Sequence, residues 1–141
     1  MNSSFIQVDV IIPTHTKYLD LIGSIGERIA KEVDNFTGDR ETLAYQLNLV
    51  LTEATVNVIK HAHCDDPKNC VRISIHIQEN ELKINVYDQG QGFSLDTIPL
   101  PDFDNPNESG MGLFFIRSLM DSVTYTQQGD YNVLEIIKYL E

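Results

Sequence analysis

The sequence predicts an α+β fold, a two-layer sandwich with helices on one face of a mainly antiparallel sheet. Three observations carry this. Several short runs alternate apolar and polar residues, the period of strands with one buried face. Two longer runs place apolar residues at 3- and 4-residue spacings, the period of amphipathic helices. Their order, strand, helix, helix, two strands, helix, two strands, layers helices on one side of a sheet. At 141 residues, 42% hydrophobic and 22% charged, the chain is too apolar for disorder and long enough for one domain over residues 1–141.

Each element follows from its own pattern. In residues 5–12, Ile6, Val8, Val10 and Ile12 alternate with Gln7 and Asp9, a strand signal. Pro13-Thr14 opens a helical run through Leu19, Ile22, Ile25, Ile29 and Val33, with Thr14 or Thr16 as its expected cap. Gly38-Asp39 breaks it, and residues 39–62 form a second helix, with Leu43, Leu47, Val50, Ala54, Val58 and His61 on one stripe. A polar loop, 63–69, leads to Val71, Ile73, Ile75 and Ile77, then a turn at Glu79-Asn80, then Leu82, Ile84 and Val86. This is an antiparallel hairpin pattern. Residues 94–109 hold three prolines and four acidic residues with little periodicity, the signature of a functional loop or lid. Leu113, Ile116, Leu119 and Met120 mark a short helix, and 122–127 with 131–139 form a closing hairpin.

Charge narrows the function. Ten Lys and Arg against 21 Asp and Glu give a net charge of -11. A broad phosphate backbone needs clustered basic residues, so no direct nucleic-acid partner is expected. An anionic membrane surface is disfavoured too, whereas a basic protein partner suits this charge. No apolar run approaches the roughly 20 residues that span a bilayer. Residues 1–5 lack a basic stretch before an apolar core, so no signal peptide is expected. Cys64 and Cys70 are too few for a disulfide scaffold, and the expected location is cytoplasmic. The spacing of His61, His63, Cys64 and Cys70 fits no common zinc pattern. His15 and His76 stand alone in the sequence.

Three segments could carry chemistry. In the second helix, Glu53 and Asn57 lie about 40° apart, flanking the apolar arc at the edge of the core. A carboxylate one turn from an amide oxygen can hold magnesium and its waters, or orient a hydroxyl nucleophile. The plainer possibility is a surface Glu–Asn pair. Next, Asp88-Gln-Gly90-Gln-Gly92-Phe93 follows a strand directly. Its glycines allow a tight turn and close backbone approach to a ligand. An aspartate there can accept from the exocyclic amine of adenine and would face another acceptor on guanine. An Asx turn ending the strand is the alternative. Finally, Gly110-Met111-Gly112 precedes a helix, where free backbone N–H groups favour phosphate. No Walker loop or dinucleotide fingerprint is present.

Taken in order, Glu-x-x-x-Asn, Asp-x-Gly-x-Gly-Phe and Gly-x-Gly-Leu resemble the GHKL (Bergerat, histidine-kinase-like) ATP-binding fold. "LTEATVNVIKHAH" and "SGMGLFFIRSLMDSV" are similar to the anti-sigma factor serine/threonine-protein kinases of the RsbW and SpoIIAB type. The resemblance spans nearly the whole chain. It implies that Glu53 is the catalytic base, Asn57 the magnesium ligand and Asp88 the adenine-binding aspartate. It implies further that Gly90 and Gly92 pass close to base and ribose, and that Gly110, Met111 and Gly112 bring backbone amides to the phosphates. Residues 94–109 would be the ATP lid. Many relatives carry a basic residue where this chain has Met111, so phosphate contact here would rest on backbone amides.

The implied activity is ATP- and magnesium-dependent phosphorylation of a serine on a STAS-type anti-anti-sigma protein, with a sigma factor as the second partner. The resemblance also implies a homodimer, with the strand at 5–12 as its shared edge. A nucleotide-binding regulatory module without kinase activity is the alternative, and an intact Glu53 speaks against it.

Overall fold

A computed structural model describes residues 5–33, 36–61, 70–88, 111–129 and 131–140. Strand β1 (Ile6–Pro13) leads through a 3-10 turn (Thr16–Tyr18) to helix α1 (Leu19–Glu32) and helix α2 (Arg40–His61). Strands β2 (Cys70–Gln78) and β3 (Glu81–Asp88) follow, then helix α3 (Met111–Leu119) and strands β4 (Ser122–Gln128) and β5 (Tyr131–Tyr139). The strands form one sheet in the order β1-β2-β3-β5-β4. Every neighbouring pair is antiparallel.

Period-2 alternation becomes apolar rungs across the sheet. One rung runs Val10–Ile73–Val86–Leu134–Tyr125, the next Val8–Ile75–Ile84–Ile136–Val123. Their buried members share a single core with Ile22, Ile29 and Ala30 of α1, with the inner side of α2 and with Ile116 of α3. The helices therefore cover one face of the sheet, as the sequence predicts. On the other face stand polar and exposed residues such as Cys70, Arg72 and Gln78. There Arg72 lies 3.8 Å from Asp9 and over the Tyr87 ring. The Glu79-Asn80 turn has positive φ at both residues, as a two-residue hairpin of matching twist requires.

Helix α2 is the centre of the helical layer. Besides the predicted stripe, it buries Ala44, Leu51 and Thr55. This second stripe meets α1, whose glycines allow close approach. A Cβ at Gly26 would lie 2.7 Å from Leu51 Cδ1 and 3.0 Å from the Leu47 carbonyl oxygen. Thr55 satisfies its buried hydroxyl by donating to the Leu51 carbonyl at 2.7 Å. Asp39 caps the helix: Thr42 Oγ1 donates to one carboxylate oxygen at 2.7 Å and the Glu41 N–H to the other. Arg40 donates to the carbonyls of Ala30 and Lys31 at the end of α1.

One local expectation is corrected. Neither Thr14 nor Thr16 caps α1: His15 caps the 3-10 turn, its Nδ1 accepting from the Lys17 N–H at 3.0 Å, and α1 itself starts after Tyr18 with no side-chain capping bond. The chain enters α1 through a 3-10 turn rather than directly, which moves the capping position. No described helix is long and apolar enough to cross a membrane.

Candidate functional site

Across β3 and β5, two apolar rungs are followed by a polar one. Asp88 ends β3 on the inward phase of Leu82, Ile84 and Val86. Opposite it in β5 stands Asn132, and both are 6% exposed. The Asn132 amide donates to Asp88 Oδ1 at 3.0 Å. A carboxylate this buried is stabilised only when hydrogen-bonded, and the bond fixes its orientation. Asn132 is the residue that motif reading misses. Its signal was present: in β5, positions 132, 134 and 136 share the inward face, and Asn132 is the polar one among them.

On the helical layer, α2 presents Glu53 and Asn57 at the half-buried margin of its apolar face. Asn57 Nδ2 donates to the Glu53 carbonyl at 3.1 Å. The bond uses the amide nitrogen and directs the amide oxygen to other partners. An oxygen donor beside a carboxylate suits a magnesium ion, which is held by few protein oxygens and several waters. The donor set therefore fits the predicted metal.

Helix α3 closes the group. It packs against α2 and is pinned by Ile116, which is fully buried. Its C-terminal carbonyl at Leu119 accepts from Lys138 Nζ at 3.4 Å, a favourable place for a cation. At its other end, Gly112 lies against the Glu53 side chain: a Cβ there would be 2.5 Å from Oε2. The fold thus brings Glu53, Asn57 and the start of α3 together, with Asp88 on the sheet face that the helices cover. Met111 is the first residue of α3. Gly90, Gly92, Gly110 and the predicted lid at 94–109 lie outside the described residues. A separate concavity of about 430 Å³ lies on the uncovered face, lined by Ile11, Arg72, Tyr87 and Val133 with Asp88 beside them. It contains neither Glu53 nor Asn57.

A five-stranded antiparallel sheet covered on one face by helices defines a two-layer α+β domain. The model of the histidine kinase-like ATPase domain matches residues 22–138, and the chain belongs to that family. Among curated relatives, the protein named serine-protein kinase RsbW of Bacillus velezensis is 26% identical, over 99% of this chain and 89% of its own. The protein of that name in Halalkalibacterium halodurans is 27% identical, covering 95% and 83%. Among solved structures, the histidine kinase domain of the Erythrobacter litoralis EL346 blue-light activated histidine kinase superposes with a TM-score of 0.56 at 24% identity. That match covers 92% of this chain and 62% of the other, so this chain spans less than two thirds of that structure. Acinetobacter baumannii histidine kinase AdeS gives 0.54 at 14% identity, covering 100% and 70%.

Proposed function

We propose that this chain is an ATP-dependent protein serine kinase and anti-sigma factor. It phosphorylates a STAS-type anti-anti-sigma protein and binds a sigma factor, switching between the two partners. Near full-length likeness to proteins named serine-protein kinase RsbW supports the activity. The structural observation that carries it is Glu53 beside Asn57 on one helix turn, against the start of α3.

In this reading Asp88, held by Asn132, accepts from the adenine amine and selects ATP. Asn57 offers its amide oxygen to magnesium, and bound magnesium supplies neutralisation of phosphate charge. Glu53 accepts the proton of the partner serine as its Oγ forms a bond to the γ-phosphorus. The bond from that phosphorus to the bridging oxygen breaks, ADP leaves, and the proton passes from Glu53 to water. Positioning and charge neutralisation do most of the work in such transfers. Gly110, Met111 and Gly112 would offer backbone amides to the phosphates, with Gly90 and Gly92 near the base and 94–109 as the lid.

The proposal extends to a cytoplasmic homodimer meeting along β1, an edge strand of the sheet. Sedimentation at micromolar concentration distinguishes dimer from monomer. The kinase reading is tested with γ-labelled ATP, magnesium and a candidate anti-anti-sigma protein. Label on a partner serine is expected, and Glu53→Gln should abolish it while ATP still binds. Wild-type protein that binds ATP yet labels no STAS partner would establish the alternative, a regulatory module without kinase activity.

A further inference from the structure

We propose that Gly112 is a positioning residue for Glu53: the side chain it lacks is the space in which the carboxylate stands. This rests on the kinase reading and concerns a role separate from amide donation to phosphate. A Cβ at Gly112 would lie 2.5 Å from Glu53 Oε2 and 3.3 Å from both Cβ and Cδ of Glu53. Non-bonded contacts are optimal near 3.5–4.0 Å, so no side chain can share this space with the carboxylate.

What gives way is decided by anchoring. Helix α3 is held by buried Ile116 and by Lys138 at its C-terminal carbonyl. The Glu53 carboxylate is instead the far end of a flexible chain at a half-buried position. A methyl group at position 112 would push the carboxylate aside, while the Glu53 Cβ at 3.3 Å asks the two helices for only a small adjustment. Helix propensity alone favours alanine over glycine inside a helix. Helix propensity therefore does not account for glycine at this position, whereas the contact with Glu53 does. The first turn of α3 and the base form one mechanical unit, so a displacement of that turn also displaces Glu53.

Gly112→Ala keeps the backbone N–H and is the direct test. Single-turnover transfer to the partner serine should fall about 100-fold, the cost of roughly 1 Å of misplacement. The ATP dissociation constant should shift far less than the transfer rate. Glu53→Asp withdraws the carboxylate by one methylene, so adding Gly112→Ala to that variant should cost under about tenfold, a non-additivity that marks direct contact. In a Glu53→Ala background, where only the Cβ contact at 3.3 Å remains, Gly112→Ala should change the thermal midpoint little or raise it. With Glu53 present it should raise it less or lower it.

Equal transfer losses in the Glu53 and Glu53→Asp backgrounds would overturn the proposal, as would unchanged transfer in Gly112→Ala. If wild-type protein transfers nothing, the kinase reading fails by itself and the thermal comparison decides the contact. Unequal shifts then uphold the seat, and equal shifts overturn it.

Discussion

Asp88 and Asn132 meet across β3 and β5 at the point where two apolar rungs give way to a polar one. Leucine at 132 would remove a donor from a buried carboxylate. Asn132→Leu is therefore expected to destabilise the fold by about 1–3 kcal/mol, measured by urea unfolding. Asp88→Asn preserves volume and replaces an acceptor with an amide. ATP affinity should fall roughly 5- to 150-fold, from the 1–3 kcal/mol of a buried polar mismatch. Calorimetry that finds the affinity unchanged would remove Asp88 from the pocket. Asp39 sets a pH response of a different kind. The Thr42 hydroxyl, and then the Glu41 N–H, hold its carboxyl below its ordinary value of 3.8. In acid the unfolded chain therefore binds the proton more readily than the folded one. The cap's contribution is complete above the unfolded value, near about pH 4, and is lost as pH falls through the lower folded value. Asp39→Asn should flatten the acid limb of thermal stability between about pH 2 and 5, and coincident limbs would show that the cap titrates without consequence.

At the scale of elements, the close approach of α1 and α2 hangs on Gly26. A Cβ there meets Leu51 Cδ1 at 2.7 Å and the Leu47 backbone at 3.0 and 3.1 Å, and backbone cannot rotate away. Gly26→Ala is expected to cost about 1–3 kcal/mol by overpacking, despite alanine's better helix propensity. A gain in the unfolding midpoint would refute that packing. This contact also shows what one sequence can and cannot disclose. The apolar stripe of α2 and all five strands were legible because one-sided burial leaves a period. Ala44, Leu51 and Thr55 were not, since a second buried stripe facing α1 blurs that period. Likewise Glu53, Asn57 and Asp88 could be chosen from local motifs, each within a few residues. Asn132 lies 44 residues beyond Asp88, and Gly112 meets Glu53 only through helix packing. Those partnerships depend on register and docking, which local spacing does not encode. The capping His15 was hidden for a similar reason, as a 3-10 turn shifts the cap by a residue.

Across the whole molecule, charge is the property that local geometry leaves unspent. Among the described residues the ion pairs are Arg28–Glu32, Arg72–Asp9 and Lys83–Glu81, at 3.4 to 4.0 Å and all substantially exposed. Such pairs contribute little to stability. With 21 acidic against 10 basic side chains, at least 11 carboxylates have no opposite charge to balance them. A field of that sign steers a basic partner toward the surface and repels a polyanion. Screening separates steering from contact, because the Debye length shrinks from about 10 Å at 0.1 M salt to about 3 Å at 1 M. If the proposed sigma-factor partner presents a basic face, its association rate should fall about tenfold or more between 50 and 500 mM NaCl, while dissociation changes little. Stopped-flow mixing of the two proteins measures both. An association rate indifferent to salt would show that the acidic surface is there for solvation and takes no part in partner choice.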